Sequence, residues 1–198
     1  MAPRSDRSGR AALVEDPRER ILDAAYELFA SIGVNQAGVD TIAAQSGCSK
    51  QSLYNHYGSK ANLAVAFLDR RESLWTRGFV EAEVLKHQEP TDALLSIFDL
   101  FDGWFRKSDF EGCSFINVLL ESEIDGQVHQ AATDHLAKVR EIVRKLAVAA
   151  GFEGPDNFAQ AWHMLMKGSI VSACEGNKNA AQQAKRVAQL MIDGWPRD

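Results

Sequence analysis

The sequence predicts an all-α protein, with an N-terminal three-helix unit of helix-turn-helix type followed by a larger helical bundle. Three observations carry this. Apolar residues recur at three- and four-residue spacing along most of the chain, the period of one helix face. Only five prolines interrupt it, and no run of β-branched residues alternates as a strand would. Between residues 33 and 60, Gly and Ser recur at intervals that leave room only for short helices.

Residues 1–15 mix Arg, Ser, Gly and Asp without periodicity and read as a flexible basic tail. Asp16-Pro17-Arg18-Glu19 then starts a helix: Asp16 caps, Pro17 suits the first turn, and Glu19 stands where it can reach back. Ile21, Leu22, Ala25, Leu28, Phe29 and Ile32 form its inner face, and Gly33 offers the stop. Val39, Ile42 and Ala43 outline a second, short helix ending at Ser46-Gly47. Ser49 caps a third that carries Leu53 and Tyr57 inward, Gly58 stops it, and Ser59 caps the long segment beyond. Two short helices around a tight Gly-containing turn make a helix-turn-helix. Ala43 is small where helices must cross, and Gly47 can take the positive φ of the turn. The outward face of the third helix presents Lys50, Gln51, Ser52, Tyr54, Asn55 and His56, polar groups able to reach phosphates and base edges.

Beyond Lys60, one long helix runs toward Pro90 with Leu63, Phe67, Leu74 and Trp75 inward. The next carries Leu94, Leu95, Phe98, Phe101, Trp104 and Phe105. A short apolar segment follows with Phe115, Ile116, Leu119 and Leu120. A longer helix runs from Val128 to Ala150, another follows Pro155 through Phe158, Trp162, Leu165 and Ala173, and a last one spans Ala184, Val187, Met191 and Trp195. The domain division read from this is 1–15 tail, 16–60 helix-turn-helix unit and 61–198 helical body.

Composition narrows the function class. Hydrophobic residues make up 45% and charged residues 25%, the balance of a soluble globular chain. No apolar stretch has the length of a membrane span and no secretory signal precedes the first helix, so no membrane partner and a cytoplasmic location are expected. Cys48, Cys113 and Cys174 lack metal-ligand spacing and do not suggest a disulfide framework. The net charge of −5 argues against nucleic acid when taken alone. Its distribution argues less so: residues 1–71 hold nine cationic and eight acidic side chains, the remainder thirteen and nineteen.

Residues 39–60, VDTIAAQSGCSKQSLYNHYGSK, together with Ile21, Ala25, Leu28-Phe29 and Gly33, resemble the DNA-binding domain of the TetR family. The run Leu53-Tyr54-Asn55-His56-Tyr57-Gly58-Ser59-Lys60 is the most specific part. The resemblance implies that Ser49, Tyr54, His56 and Lys60 contact phosphates, with Lys50 and Gln51 nearest the bases. It also implies a C-terminal bundle for ligand binding and dimerisation through its last two long helices. The partners it implies are a palindromic operator in double-stranded DNA, a small-molecule effector and a second copy of the chain, with repression as the family's usual mode. The sequence departs from the pattern at Ala37-Gly38, where the family carries a capping Thr or Ser that touches phosphate. The tail arginines Arg4, Arg7 and Arg10 could compensate by lying along the backbone or in a minor groove.

Within the body, Gly168, Ser169, Ser172 and Ala173 on a helix that also bears Trp162 and Met166 suggest close helix crossing at a dimer interface. An apolar pocket with a few polar groups has as candidate walls Phe101, Trp104, Phe105, Phe115, Asn117, Glu121, Trp162 and Met166. No catalytic residue, metal site or cofactor is expected. His129 and His135 point to different helix faces, His87 and His163 stand alone, and no Gly-rich phosphate loop, nucleophile elbow or carboxylate pair occurs. Two alternatives remain: a helix-turn-helix serving as a protein-partner module, and redox sensing through Cys113, whose place near a helix N-terminus would lower its pKa.

Overall fold

The computed structural model describes residues 16–197, so the expected basic tail with Arg4, Arg7 and Arg10 lies outside the described residues. Helix α1 (Pro17–Ile32) begins as the sequence dictates: the Asp16 carboxylate accepts from the Arg18 backbone N–H at 3.0 Å, with Pro17 in the first turn. Glu19 does not close a capping box; its carboxylate bonds Arg70 of a later helix instead. α2 (Val39–Ser46) and α3 (Lys50–Tyr57) follow, then α4 (Lys60–Arg71). Ile21, Ile42, Leu53, Leu63 and Phe67 are all fully buried among these helices. Phe67 stands edge-on to Tyr26 and Phe29, with ring centroids 5.3 and 5.5 Å away. The beginning of α4 therefore shares the core of the N-terminal unit, while α4 also packs on the longest helix of the body, Gln127–Ala149.

The long helix after Lys60 is not uniform. α4 passes without a break into a π-helical stretch, Glu72–Glu81, and ends in a short turn, α5 (Ala82–Val84). Hydrogen bonds closing over five residues widen the turn and rotate every later side chain relative to an α-helical register. Leu74, expected inward, is consequently 61% exposed, whereas Glu72 and Thr76 are buried. π-Helical turns are uncommon and tend to occur where function demands an irregular surface.

The body comprises α6 (Pro90–Phe105), α7 (Ser114–Glu121), α8 (Gln127–Ala149), α9 (Pro155–Cys174) and α10 (Ala180–Gly194). Its core is aromatic: Trp162 packs against Phe98 and Phe158 at 5.4 and 5.3 Å. Phe158 also stacks on Phe152 at 4.5 Å and meets Trp195 edge-on at 5.0 Å. The chain end is tied back to the α8–α9 loop, where the Trp195 indole donates to the Glu153 carbonyl and the Glu153 N–H to the Pro196 carbonyl, both at 2.9 Å.

The small-residue face of α9 is split between core and surface: Gly168 is exposed, and Ser172 and Ala173 are half-buried. Trp162, Met166 and Ser169 all turn into this chain's own core. The opposite side of the helix, about 200° round, holds Met164, Gly168 and Val171. On α10, Val187 is likewise outward with Leu190. Residues two positions apart on a helix point about 200° apart, so choosing the wrong stripe exchanges core for surface.

Candidate nucleic-acid interface

Local sequence chemistry builds the α2–α3 corner. Gly47 takes φ +64°, and its N–H meets the carbonyls of Ala43 and Ala44. A side chain there would bring Cβ within 2.5 Å of the Arg20 guanidinium, which itself donates to the Ser46 carbonyl. Leu53 and Tyr57 then anchor α3 inward. The Tyr57 hydroxyl donates to the Arg18 carbonyl at 2.8 Å, and the Arg18 guanidinium lies 5.3 Å from its ring centre. Burial raises the Tyr57 pKa, with Arg18 acting against it, so the phenol stays protonated and able to donate. The α3–α4 corner is fixed by Ser59 Oγ accepting from the Asn62 N–H at 3.0 Å and by Asn62 donating to the Tyr57 carbonyl at 2.8 Å.

With those anchors set, the opposite face of α3 is open. Ser49, Lys50, Gln51, Tyr54, Asn55 and His56 are exposed, Ser52 and Lys60 are half-buried, and α3 contains no acidic residue. The body does not cover this face. Ser49 Oγ accepts from the Ser52 N–H at 3.1 Å, which occupies a lone pair and leaves its hydroxyl hydrogen for a phosphate. Gln51 donates to Asn55 at 2.9 Å, one turn on, so the two amides form a joined polar edge. Two of the cations are engaged within the chain. Lys50 Nζ lies 2.5 Å from the Asp40 carboxylate of α2, and Lys60 Nζ donates to the Asn35 carbonyl at 3.3 Å. Burial lowers the Lys60 pKa. Nothing local in the sequence pairs Asp40 with Lys50, because that contact spans the turn.

The expected pocket residues do not form one cavity. Phe101, Phe115 and Met166 are among the walls of a small recess of about 20 Å³, room for roughly one water. Trp162 is packed solid elsewhere in the core. Trp104 and Phe105 meet with their rings tilted, centroids 5.5 Å apart, and Trp104 also faces a separate groove of about 560 Å³ between α1 and the π-helical stretch. Asn117 and Glu121 are exposed. Asn117 reaches the Glu111 carbonyl at 3.5 Å. Glu121 lies against Gly33, where an added Cβ would come within 2.9 Å of its carboxylate, and its carbonyl accepts from Asn35 at 2.9 Å. Both lie on the exposed side of α7, a short helix whose buried residues are Ser114, Phe115 and Val118.

The Cys113 expectation also needs correction. The thiol is 6% exposed, and burial raises its pKa despite the nearby N–H groups of α7, so it is not an activated thiolate. Residues of metal-ligating type do meet at one place that the sequence concealed. Donor atoms of Asp69, Glu72 and His135 lie within 4.8 Å of one another. Lys138 Nζ, 2.6 Å from Glu72, and Arg77 at 3.5 Å already supply positive charge. Burial acts to raise the Glu72 pKa, and Lys138, His135 and Arg77 outweigh it, leaving the carboxylate ionised and the pKa lowered. His135 is lowered by burial, against the pull of Glu72. An ammonium stands where a metal cation would be needed, and the cluster is accounted for as a buried ion-pair network.

Among the described residues no helix is long and apolar enough to cross a membrane. Residues 21–67 match the pattern described as "Bacterial regulatory proteins, tetR family". The chain is 39% identical over 62 residues to the HTH-type transcriptional regulator SrpR of Pseudomonas putida, covering 31% of this chain and 29% of that protein. It spans less than half the length of each of the first three curated relatives it matches. A full-length similarity is to the HTH-type transcriptional repressor SCO4008 of Streptomyces coelicolor, 26% identical over 194 residues and covering 90% of this chain and 96% of that one. The crystal structure of SCO4454, a TetR-family regulator from the same species, superposes with a TM-score of 0.82 at 22% identity, over 89% of this chain and 94% of that one. The sequence pattern of residues 21–67 and the fold of the chain as a whole are both similar to those of the TetR family of bacterial regulatory proteins.

Proposed function

We propose that the protein is a DNA-binding transcriptional regulator, a homodimeric repressor released from a palindromic operator by a small-molecule effector. The observation that carries this is the uncovered, acid-free face of α3, whose Gln51, Tyr54, Asn55 and His56 are exposed while Leu53 and Tyr57 lock the helix from behind. A helix held this way can enter a major groove with its polar edge toward the bases and Ser49 toward the backbone.

Pairing is supported by an exposed apolar stripe. Met164 and Val171 on α9, and Val187 and Leu190 on α10, are 64%, 49%, 47% and 71% exposed, and the Cβ position of Gly168 faces open space. Two such faces meeting about a two-fold axis bury apolar area that a lone chain leaves in water. The dimer then sets two copies of α3 roughly 34–36 Å apart, one helical turn of DNA. Repression is the reading favoured by the full-length likeness to a protein named a repressor.

Selection from a random duplex pool tests the reading. The expected product is a palindrome whose half-sites are one helical turn apart, bound with strong salt dependence, and weakened for every sequence by Tyr54→Ala with His56→Ala. A pool that yields no enriched sequence, with binding indifferent to salt, would sink it and leave a protein-partner module instead.

A further inference from the structure

The groove of about 560 Å³ between α1 and the π-helical stretch has the size of an organic-ligand site, and its wall chemistry is specific. Tyr26, Trp75, Phe79 and Trp104 supply aromatic surface, and Arg71 and Lys107 supply charge. Arg70, one residue earlier, pairs with both Glu19 and Asp23. Arg71 has no carboxylate partner among the described residues. Its guanidinium donates only to the Tyr26 hydroxyl, at 2.7 Å, and lies 5.7 Å from that ring centre. Lys107 likewise forms no ion pair among them, and its ammonium lies 5.9 Å from the Phe79 ring centre. A half-buried guanidinium without a counter-charge is costly in an empty groove and becomes favourable when an anion arrives. Trp75 adds an indole N–H that is buried without a partner among the described residues. Glu27, Asp109 and Glu111 also border the groove, all exposed to water, and Glu27 accepts from Gln45 at 2.7 Å. Solvent screens such rim charges far better than it screens Arg71.

We infer that this groove binds a planar aromatic carboxylate, its ring against Trp75, Phe79 and Trp104 and its carboxylate between Arg71 and Lys107. The inference rests on the proposed regulator reading and names the site and chemical class of its effector. Such a ligand bridges α1 of the N-terminal unit and the segment after α6 of the body. Its binding is therefore coupled to how the two units sit on one another.

Calorimetric titration of the DNA-free protein with 2-naphthoate, and with 2-naphthylmethylammonium as the charge-reversed control, tests this. Saturable naphthoate binding, absent for the ammonium and weakened about tenfold or more by Lys107→Gln and by Arg71→Gln, is expected. Lys107 is exposed, so its variant folds even where Arg71→Gln loosens the contact with Tyr26. Naphthoate that fails to bind at millimolar concentration, binds regardless of Lys107→Gln, or is outcompeted by the ammonium overturns the assignment. The duplex selection above is run without ligand, so failure of this site and failure of the DNA-binding reading are separately visible.

Discussion

The ion pair between Lys50 and Asp40 gives the DNA-binding reading a quantitative test. Lys50 opens α3, and its ammonium lies 2.5 Å from the Asp40 carboxylate on α2, with side chains 54% and 78% exposed. An exposed pair of this kind is worth about 0–1 kcal/mol, so a duplex can break it, but at a cost in every binding event. Asp40→Asn removes that competition and one negative charge beside the phosphates. Each cation newly neutralising the duplex steepens the slope of log affinity against log salt by about 0.9, or about 1.8 for a two-fold dimer. The variant should bind more tightly than the parent at about 50 mM salt, and its advantage should shrink by about tenfold at about 200 mM. Because Asp40 sits in the first turn of α2, losing its charge should also cost about 0.3–1 kcal/mol of stability. Fluorescence anisotropy against the selected duplex, paired with thermal denaturation, separates the two effects. An unchanged slope, or weaker binding at low salt, refutes the placement of Lys50 at the duplex. Equal gains in Asp40→Asn and in Asp40→Asn with Lys50→Gln would trace the effect to the lost carboxylate alone.

Two further outcomes follow from backbone geometry and burial. Gly47→Ala forces a left-handed φ of +64° on a residue with a Cβ, and drives that Cβ toward Arg20; a loss of about 1–2 kcal/mol in denaturation is expected, whereas an unperturbed midpoint would show that the turn does not need this conformation. His163, 3% exposed, has its pKa lowered by burial to about 4 from an unfolded 6.5, so the unfolded chain takes up the proton first as pH falls. Its contribution is intact above about pH 6.5 and is lost between there and about pH 4, roughly 3 kcal/mol in all; His135, lowered in the same direction, adds to the loss. Urea denaturation across that range should show a shallower decline in His163→Gln than in the parent, and parallel declines would remove His163 as the cause.

The N-terminal unit was legible because its signals are local. Asp16, Ser49 and Ser59 cap within three residues of themselves, and Gly47 turns the chain where it stands. Contacts that cross the fold were not. Glu19 looks like half of a capping box until Arg70, 51 residues later, takes its carboxylate. The same blindness applies to Lys50 with Asp40 and to Glu72 with His135 and Lys138. Periodicity located α7 and α9, but a stripe shows that a helix is amphipathic without showing which neighbouring stripe meets solvent. Asn117 and Glu121 were therefore assigned to an interior they only border, and Ser169 to an interface it faces away from. The π-helical register has no propensity signature in Glu72–Glu81, and with it the groove walls at Trp75 and Phe79 stayed hidden.

The two units are joined by seams of different strength, and this decides where the proposed effector would act. Along the first seam, Arg70 bonds Glu19 and Asp23, Arg71 bonds Tyr26, and Phe67 fills the space between Tyr26 and Phe29. That seam combines a buried aromatic cluster with charge-assisted bonds, so α1 and α4 travel together. The second seam runs from the α1–α2 loop and the start of α4 to the α7–α8 corner. Its hydrogen bonds are Asn35 to the Glu121 carbonyl and Gln127 to Asn62, both exposed and both 2.9 Å. Exposed neutral hydrogen bonds contribute about 1 kcal/mol each, which falls within the roughly 1–3 kcal/mol of coupling that allosteric ligands typically supply. A ligand that pulls α1 and the π-helical stretch toward the segment after α6 strains the second seam before the first. On the proposed dimeric reading, re-spacing of the two copies of α3 would proceed by α1–α4 pivoting as one body against α7 and α8, with the α2–α3 corner carried along intact.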